Sequence, residues 1–253
     1  MRVTFLGTGT SQGVPVINCQ CVVCSSMDYR DKRLRSSIHI EVNGKSFIID
    51  SGPDFRQQVL GNQITQLDAL IFTHQHKDHI AGMDDVRGFN FSQQKDMPVF
   101  ATHEVIQQLK QEFAYVFAAD SYPGVPRVLV HEIENKPFEA EGVAFTPIQV
   151  LHYKLPVFGY RVQNFTYITD AKSVAEEEKE KMKGTEVLVL NALQHKQHLS
   201  HFTLEESLEL IEEIQPRQAY LTHISHNLGT HQEVNRLLPP HVKLAYDSLR
   251  IEI

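Results

Sequence analysis

His74-Gln75-His76-Lys77-Asp78-His79 puts four side chains with metal-ligand chemistry within six residues. Imidazole and carboxylate suit zinc, manganese and neighbouring ions. The H-x-H-x-D-H order in a loop after a strand can aim successive side chains at two points, which a straight strand cannot do. Two such cations ~3.5–4 Å apart hold a hydroxide between them, lower its pKa toward neutrality and polarise the oxygen under attack. A polar loop with accidental histidines is the alternative, and the spacing and the donors waiting downstream weigh against it. The chain has 14 histidines, more than a routine surface needs. Its three cysteines form Cys19-Gln20-Cys21-Val22-Val23-Cys24, an odd number in one segment, unlike a disulfide framework. Three thiols so close suit one tetrahedral zinc that lacks a fourth ligand; three reduced, packed cysteines are the plainer reading.

These residues need elements to deliver them. Val3–Leu6 reads as a strand entering the Gly7–Gly13 loop, and the apolar run Asp68–Thr73 as one ending at the histidines. Asn43-Gly44 between the β-branched runs Ser37–Val42 and Lys45–Asp50 predicts a hairpin. Val99–Ala101, Arg127–Glu132, Val143–Val150, Gly159–Val162, Phe165–Thr169 and Val187–Leu190 read as further strands, and Gln218–Thr222 as one that ends at a histidine. Val105, Leu109, Phe113 and Val116 give Glu104–Phe117 a helical face. Val174–Lys183 is a charged helix whose Glu176–Lys183 face is expected in solvent. Thr203 and Glu206 make a capping box for the helix Leu204–Ile214, which stops before Pro216. Val242–Tyr246 and Leu249–Ile253 are expected to close the second sheet. With no repeat and no long linker, residues 1–253 read as one domain of mixed α/β (α+β) class, sheets inside and helices outside.

Charge and composition narrow the partners. Against 31 Asp and Glu stand 24 Lys and Arg, a net −7 that argues against broad nucleic-acid binding. Hydrophobic residues at 42% suffice for a core and exclude a largely disordered chain. No apolar run approaches the roughly 20 residues of a membrane span. Val3–Leu6 is too short for a signal-peptide core, so a cytoplasmic protein without membrane partners is expected.

The chain resembles the metallo-β-lactamase-fold hydrolases over nearly its whole length. The likeness rests on Asp50 in Ile48-Ile49-Asp50-Ser51-Gly52, on Thr73–Gly82, on His152, on Asp170 in Tyr167-Ile168-Thr169-Asp170, and on His223 in Leu221-Thr222-His223-Ile224-Ser225-His226. It implies an αββα four-layer sandwich. It also implies that His74, His76 and His152 bind a first metal, Asp78, His79 and His223 a second, and Asp170 bridges them. Asp50 is expected behind the ligands, accepting hydrogen bonds that hold their loop. His226 is the candidate fourth ligand of the cysteine site.

Leu6-Gly7-Thr8-Gly9-Thr10-Ser11-Gln12-Gly13-Val14-Pro15, the C-x-C-x-x-C and Thr222–His226 are together similar to the PhnP-like subgroup. That resemblance implies hydrolysis of a small cyclic phosphodiester such as 5-phosphoribosyl 1,2-cyclic phosphate, two active-site divalent metals (zinc or manganese) and one structural zinc on Cys19, Cys21, Cys24 and His226. It also implies that His201 assists as general acid or as electrostatic support, beside Asp78 and Asp170. His195 and His198 are expected in solvent, and a homodimer is consistent with the family. A tRNase Z-like RNA 3′-processing nuclease shares the metal set, but the basic exosite insertion that grips tRNA is not seen. A lactone, thioester or β-lactam hydrolase would use the same metal water with less need of His201. The Gly7–Gly13 loop offers amides to a phosphate or simply supports the metal loop. Arg30, Lys32, Arg33 and Arg35 read as solvated surface, or Arg33 or Arg35 meets a distal phosphate. Asp84–Phe91 and Asp120–Gly124, within 83–125, are expected to wall the site.

Overall fold

A computed structural model describes residues 1–118 and 122–253. In the first half, strands β1 (Arg2–Gly7), β2 (Ser37–Val42), β3 (Lys45–Ile49), β4 (Ala69–Ile71), β5 (Met97–Ala101) and β6 (Val128–Glu132) accompany helices α1 (Phe55–Gly61), α2 (Lys77–Ile80), α3 (Arg87–Gln93) and α4 (His103–Glu112). The second half contributes β7 (Phe138–Ala140), β8 (Val143–His152), β9 (Leu155–Val162), β10 (Phe165–Tyr167), β11 (Ser173–Val174) and β12 (Val187–Asn191), with α5 (Glu176–Met182) between the last two. It continues through α6 (Leu204–Ile214), β13 (Gln218–Thr222), α7 (His231–Leu237) and β14 (Val242–Leu244) to a final strand, β15 (Arg250–Glu252).

The strands make two sheets. One runs β15-β1-β2-β3-β4-β5-β6, the other β11-β8-β9-β10-β12-β13-β14 with β7 beside β8. Each is parallel where helices cross over, from β3 to β6 and from β10 to β14, and antiparallel elsewhere. Ligands of such sheets bind beyond the carboxyl ends of parallel strands, and β4, β10 and β13 end just before His74, Asp170 and His223.

Alternating apolar residues make the layers. Phe5, Ile40 and Phe47 of the first sheet meet Phe145, Tyr160 and Tyr167 of the second. Phe47 and Phe145 cross edge to face at 5.2 Å. The opposite side of the first sheet, with Ile48, Leu70 and Val99, lies under Phe55, Phe89, Val105 and Leu109 of the helices. Leu188, Leu190 and Leu221 of the second sheet lie under Leu210, Ile211, Ile214 and Val234. Each such side chain contributes about 1.5–3 kcal/mol on full burial. The result is the four-layer αββα sandwich of the sequence reading. Asn43 and Gly44 both have positive φ, 53° and 74°, as the tight turn pairing Val42 with Lys45 requires. The α6 capping box forms as expected.

Several elements differ from expectation. β15 closes the first sheet rather than the second: after Tyr246 the chain turns back onto Phe5, and Ile251 pairs with Val3. Asp78 and His79 stand in the single helical turn α2, not in an open loop. α4 ends at Glu112, leaving Val116 beyond it. α1, α3 and α7 were not anticipated; they are short, and α1 and α3 have no side-chain cap to announce them. β7 was also missed, although Glu141 and Gly142, both at positive φ, repeat the turn of the first hairpin. Glu178 leaves the solvated face expected of α5: it is buried and accepts from Asn135 Nδ2, Gln149 N and Lys181 Nζ.

Candidate metal centre

Three of the site's residues, Asp50, Asp170 and His223, follow strand ends and adopt left-handed backbone, with φ of 66°, 56° and 53°. Asp and His tolerate that region better than most residues, at a cost of about 1–3 kcal/mol each that neighbours must offset. The turn swings each side chain off its sheet toward the crevice. The ligand turn packs against the end of β3 so closely that a Cβ on Gly52 would lie 2.0 Å from the Asp78 carbonyl, and one on Gly82 2.1 Å from that of Gly52. Ser51 N to His79 O (2.8 Å) and Gly82 N to Ser51 O (2.7 Å) complete that contact.

Asp170 is the hub. Its Oδ2 lies 3.3 Å from His79 Nε2, and its Oδ1 lies 3.1 Å from His223 Nε2 and 3.9 Å from His201 Nδ1. Asp78 Oδ2 is 3.2 Å from His79 Nε2. Despite these short separations, His79 Nε2, both ring nitrogens of His223 and His201 Nδ1 are buried and have no hydrogen-bond partner. His74 Nε2 and His76 Nδ1 approach to 3.0 Å. Buried donors that converge without bonding one another fit a shared cation, since leaving such atoms unmet is costly. His74, His79 and Asp170 form one donor group, Asp78, His79 and His223 a second, and His152, Asp170 and His201 a third, each within 4.8 Å. His76 joins through its neighbours, its ring 4.6 Å from that of His74 and 5.2 Å from that of His152. All the sequence-predicted ligands therefore meet, and His201 stands among them.

The far sides of the rings are tied. His79 Nδ1 donates to Asp50 Oδ2 at 2.7 Å, and Thr73 gives Asp50 both its N–H and its hydroxyl at 2.8 Å. Asp50 thus takes the place expected of it. His152 Nδ1 donates to the Ser200 carbonyl at 2.9 Å, leaving Nε2 for the centre. Burial pushes the Asp170 carboxyl up, but His223 and His79 more than reverse this and hold it well below the usual carboxylate range. Burial also drives His201 down to about 2, with His223 adding to the shift.

Cys19, Cys21 and Cys24 gather around His226, their Sγ atoms 3.3, 3.4 and 3.5 Å from its Nδ1. No disulfide forms. The Val16 amide approaches Cys24 Sγ and the Cys24 amide approaches Cys21 Sγ, both at 3.4 Å. These amides favour thiolate, and Cys21 is held down at about 6 with the Cys24 amide as largest cause. Four soft or borderline donors around one point fit a closed tetrahedral site.

The basic run resolves differently from either expectation for Arg33, which is buried and bonded within the chain. Arg35 grips Asp54 and the Ser11 carbonyl, Arg30 pairs with Asp28, and Lys32 reaches the Cys24 carbonyl. The Gly9 and Gly13 amides bond to Leu34 and Thr10 carbonyls, so these two are taken up within the fold. His195 is exposed against Glu205, whereas His198 departs from expectation: it is half-buried, its ring 5.1 Å from that of His201. In the 83–125 segment, Glu112 pairs with Lys77 of the ligand turn at 3.1 Å and Tyr115 bonds Asp84. Asp120 and Ser121 lie outside the described residues.

Residues 45–224 match the family model described as Beta-lactamase superfamily domain. A solved structure, described as that of a new diphosphatase from the PhnP family, is 40% identical, covers 100% of this chain and 97% of its own, and superposes with a TM-score of 0.93. The chain belongs to the PhnP family of the β-lactamase superfamily. A Porphyromonas gingivalis protein named octanoyltransferase is 39% identical over 98% of this chain but only 51% of its own length. The chain spans about half the length of the curated relatives it matches, and that name describes the longer protein. Zinc-bound PqqB from Methylobacterium extorquens, at 20% identity and a TM-score of 0.81 over both chains, shares the fold. No described helix is long and apolar enough to cross a membrane.

Proposed function

We propose that this PhnP-family member hydrolyses a P–O bond in a small phosphoric diester, with a cyclic phosphodiester such as 5-phosphoribosyl 1,2-cyclic phosphate as first candidate. The observation that carries the reading is the surplus of unpartnered donors on Asp170: His79, His223 and His201 converge there, each through a buried ring nitrogen with no hydrogen-bond partner. His74, His76, Asp78, His79, His152, Asp170 and His223 would hold two divalent ions, zinc or manganese, and Cys19, Cys21, Cys24 and His226 a structural zinc. When bound, the active-site ions supply an acidified water and polarise the phosphoryl oxygens.

The chain's own residues do the rest. Asp50 and the Ser200 carbonyl take the outer protons of His79 and His152, which fixes the tautomer of each ring. Asp78 and Asp170 offset cationic charge at the centre. His201 is held neutral by burial. That favours its N–H as a hydrogen-bond donor to charge developing on the leaving oxygen over its acting as an imidazolium acid.

The 40%-identical relative, described as a diphosphatase, favours a second reading, hydrolysis of a diphosphate bond. Both present an anionic phosphoryl centre with an oxygen leaving group. Phosphorus NMR decides between them. The metal-loaded chain is incubated separately with 5-phosphoribosyl 1,2-cyclic phosphate, a diphosphate diester and an octanoyl thioester. A new monoester signal from the cyclic compound supports the first reading, and cleavage of only the diphosphate the second. Turnover of the thioester alone overturns both and returns to the acyl hydrolases weighed from the sequence.

A further inference from the structure

Arg33 belongs to a run of basic residues, yet its guanidinium is buried. Burial lowers it to about 10, so it stays charged at neutral pH. Its Nη1 donates to Thr8 Oγ1 at 2.8 Å and to the Ala245 carbonyl at 2.7 Å, and its Nη2 faces His231 Nδ1 at 3.4 Å. Thr8 Oγ1 in turn donates to Asp247 Oδ1 at 2.7 Å, while Leu34 N donates to the other oxygen at 2.6 Å. A buried cation is tolerated only where its N–H groups are met and a countercharge is near. Here Thr8 and Ala245 meet the N–H groups, and Asp247, then Asp31 and Asp28, supply the countercharge.

The attachments bracket one segment, from the end of β13 to the start of α7. Ala245 N donates to the Leu221 carbonyl. Ile224 N donates to the Thr8 carbonyl at 2.9 Å, and Thr10 N returns a bond to the Ile224 carbonyl at 3.3 Å. At the far end Asp31 takes the His231 amide at 2.7 Å. Between these points lie His223 and His226, on either side of Ile224. His223 is left-handed at φ 53°, a conformation that persists only where its surroundings over-determine it. Its ring lacks any partner on either nitrogen, unlike His79 on Asp50 and His152 on Ser200. Its aim therefore rests on its backbone.

We propose that Arg33 is a positioning residue: through Thr8 and Ala245 it fixes the backbone around Ile224, and so aims His223 into the histidine–carboxylate centre and His226 at the three thiols. The assignment rests on reading those two clusters as metal sites. Arg33→Lys keeps the charge and loses the fork. Thr8→Val keeps the shape and loses the hydroxyl between Arg33 and Asp247. Each purified chain is loaded with cobalt(II) as a spectroscopic reporter, and its visible spectrum, metal equivalents and melting temperature are measured. Then kcat and KM are determined on bis(4-nitrophenyl) phosphate.

Arg33→Lys is expected to lower kcat about tenfold or more, as loss of support behind a ligand does, with KM within about twofold and altered cobalt bands. Thr8→Val should do the same more weakly. Wild-type kcat and cobalt spectra in folded variants, with only the melting temperature lowered, would overturn the proposal, because a network that serves stability alone behaves that way. If Arg33→Lys does not fold, Thr8→Val decides on the same criteria. If the wild-type chain leaves the diester intact, the substrate reading fails, and the cobalt spectra and metal equivalents still decide the role of Arg33.

Discussion

The two donor clusters lie within three residues of each other on one segment, at His223 and His226, and are built on opposite plans. The cysteine cluster takes three of its four donors from a single six-residue stretch and has one donor atom per tetrahedral position. The histidine–carboxylate cluster draws on both halves of the chain, from the ends of β4, β8, β10 and β13, and has more donors than one ion needs. A full donor set has no position left for a reactant, whereas a divided one leaves room. Chemistry is therefore expected at the strand ends, and the thiols are expected to anchor the loop.

Breaking the richer cluster should have the largest effect. Asp170→Asn removes the carboxylate that faces His79, His223 and His201, and kcat on a phosphodiester should fall by about 10³-fold or more, as for members of an interdependent catalytic set. Metal analysis of the same protein should show fewer than two equivalents at the active site. Retained turnover would make Asp170 a bystander.

His201→Ala sharpens the division inside that cluster, between holding metal and assisting cleavage. Metal content and melting temperature should stay near wild type while turnover of an alkyl phosphodiester drops by about 10²–10³-fold, the usual loss of one well-placed donor. An activated aryl ester should lose less. Equal activity on the alkyl ester would remove His201 from the chemistry, and lost metal would move it among the ligands.

Cys21→Ser tests the other side of the comparison, with the smallest effect on rate. Zinc should fall by about one equivalent per chain and thermal stability should drop, since a closed site contributes folding energy. The chemical step should change only through the shared segment. Unchanged zinc stoichiometry would dissolve the contrast between the clusters.

Legibility in the sequence followed distance along the chain. His74–His79, the Asn43-Gly44 hairpin and the Thr203–Glu206 cap are local patterns, and the structure reproduces their neighbours closely. His152, Asp170 and His223 carry no signal in their own spacing; resemblance to the family placed them, and the geometry brings them to one point. Arg33 was read as surface because its partners Ala245 and Asp247 come more than 200 residues later. No local pattern announces a buried cation met from so far off. Glu178 misled in the same way, since one helix residue turns inward to meet the amide of Gln149 on β8. β15 was assigned to the wrong sheet because an edge strand is chosen by the exposed partner it reaches, here β1, and not by its own composition.

That last pairing has a mechanical consequence. β15 runs antiparallel to β1, with Arg2 opposite Glu252 and the Met1 amine 2.9 Å from the Ile253 carbonyl. Force applied to the two termini would load these bonds one rung at a time rather than all together. The chain should therefore unzip from this edge at low tension, shedding β15 first, while the two sheets and both donor clusters stay intact until the pull reaches β1.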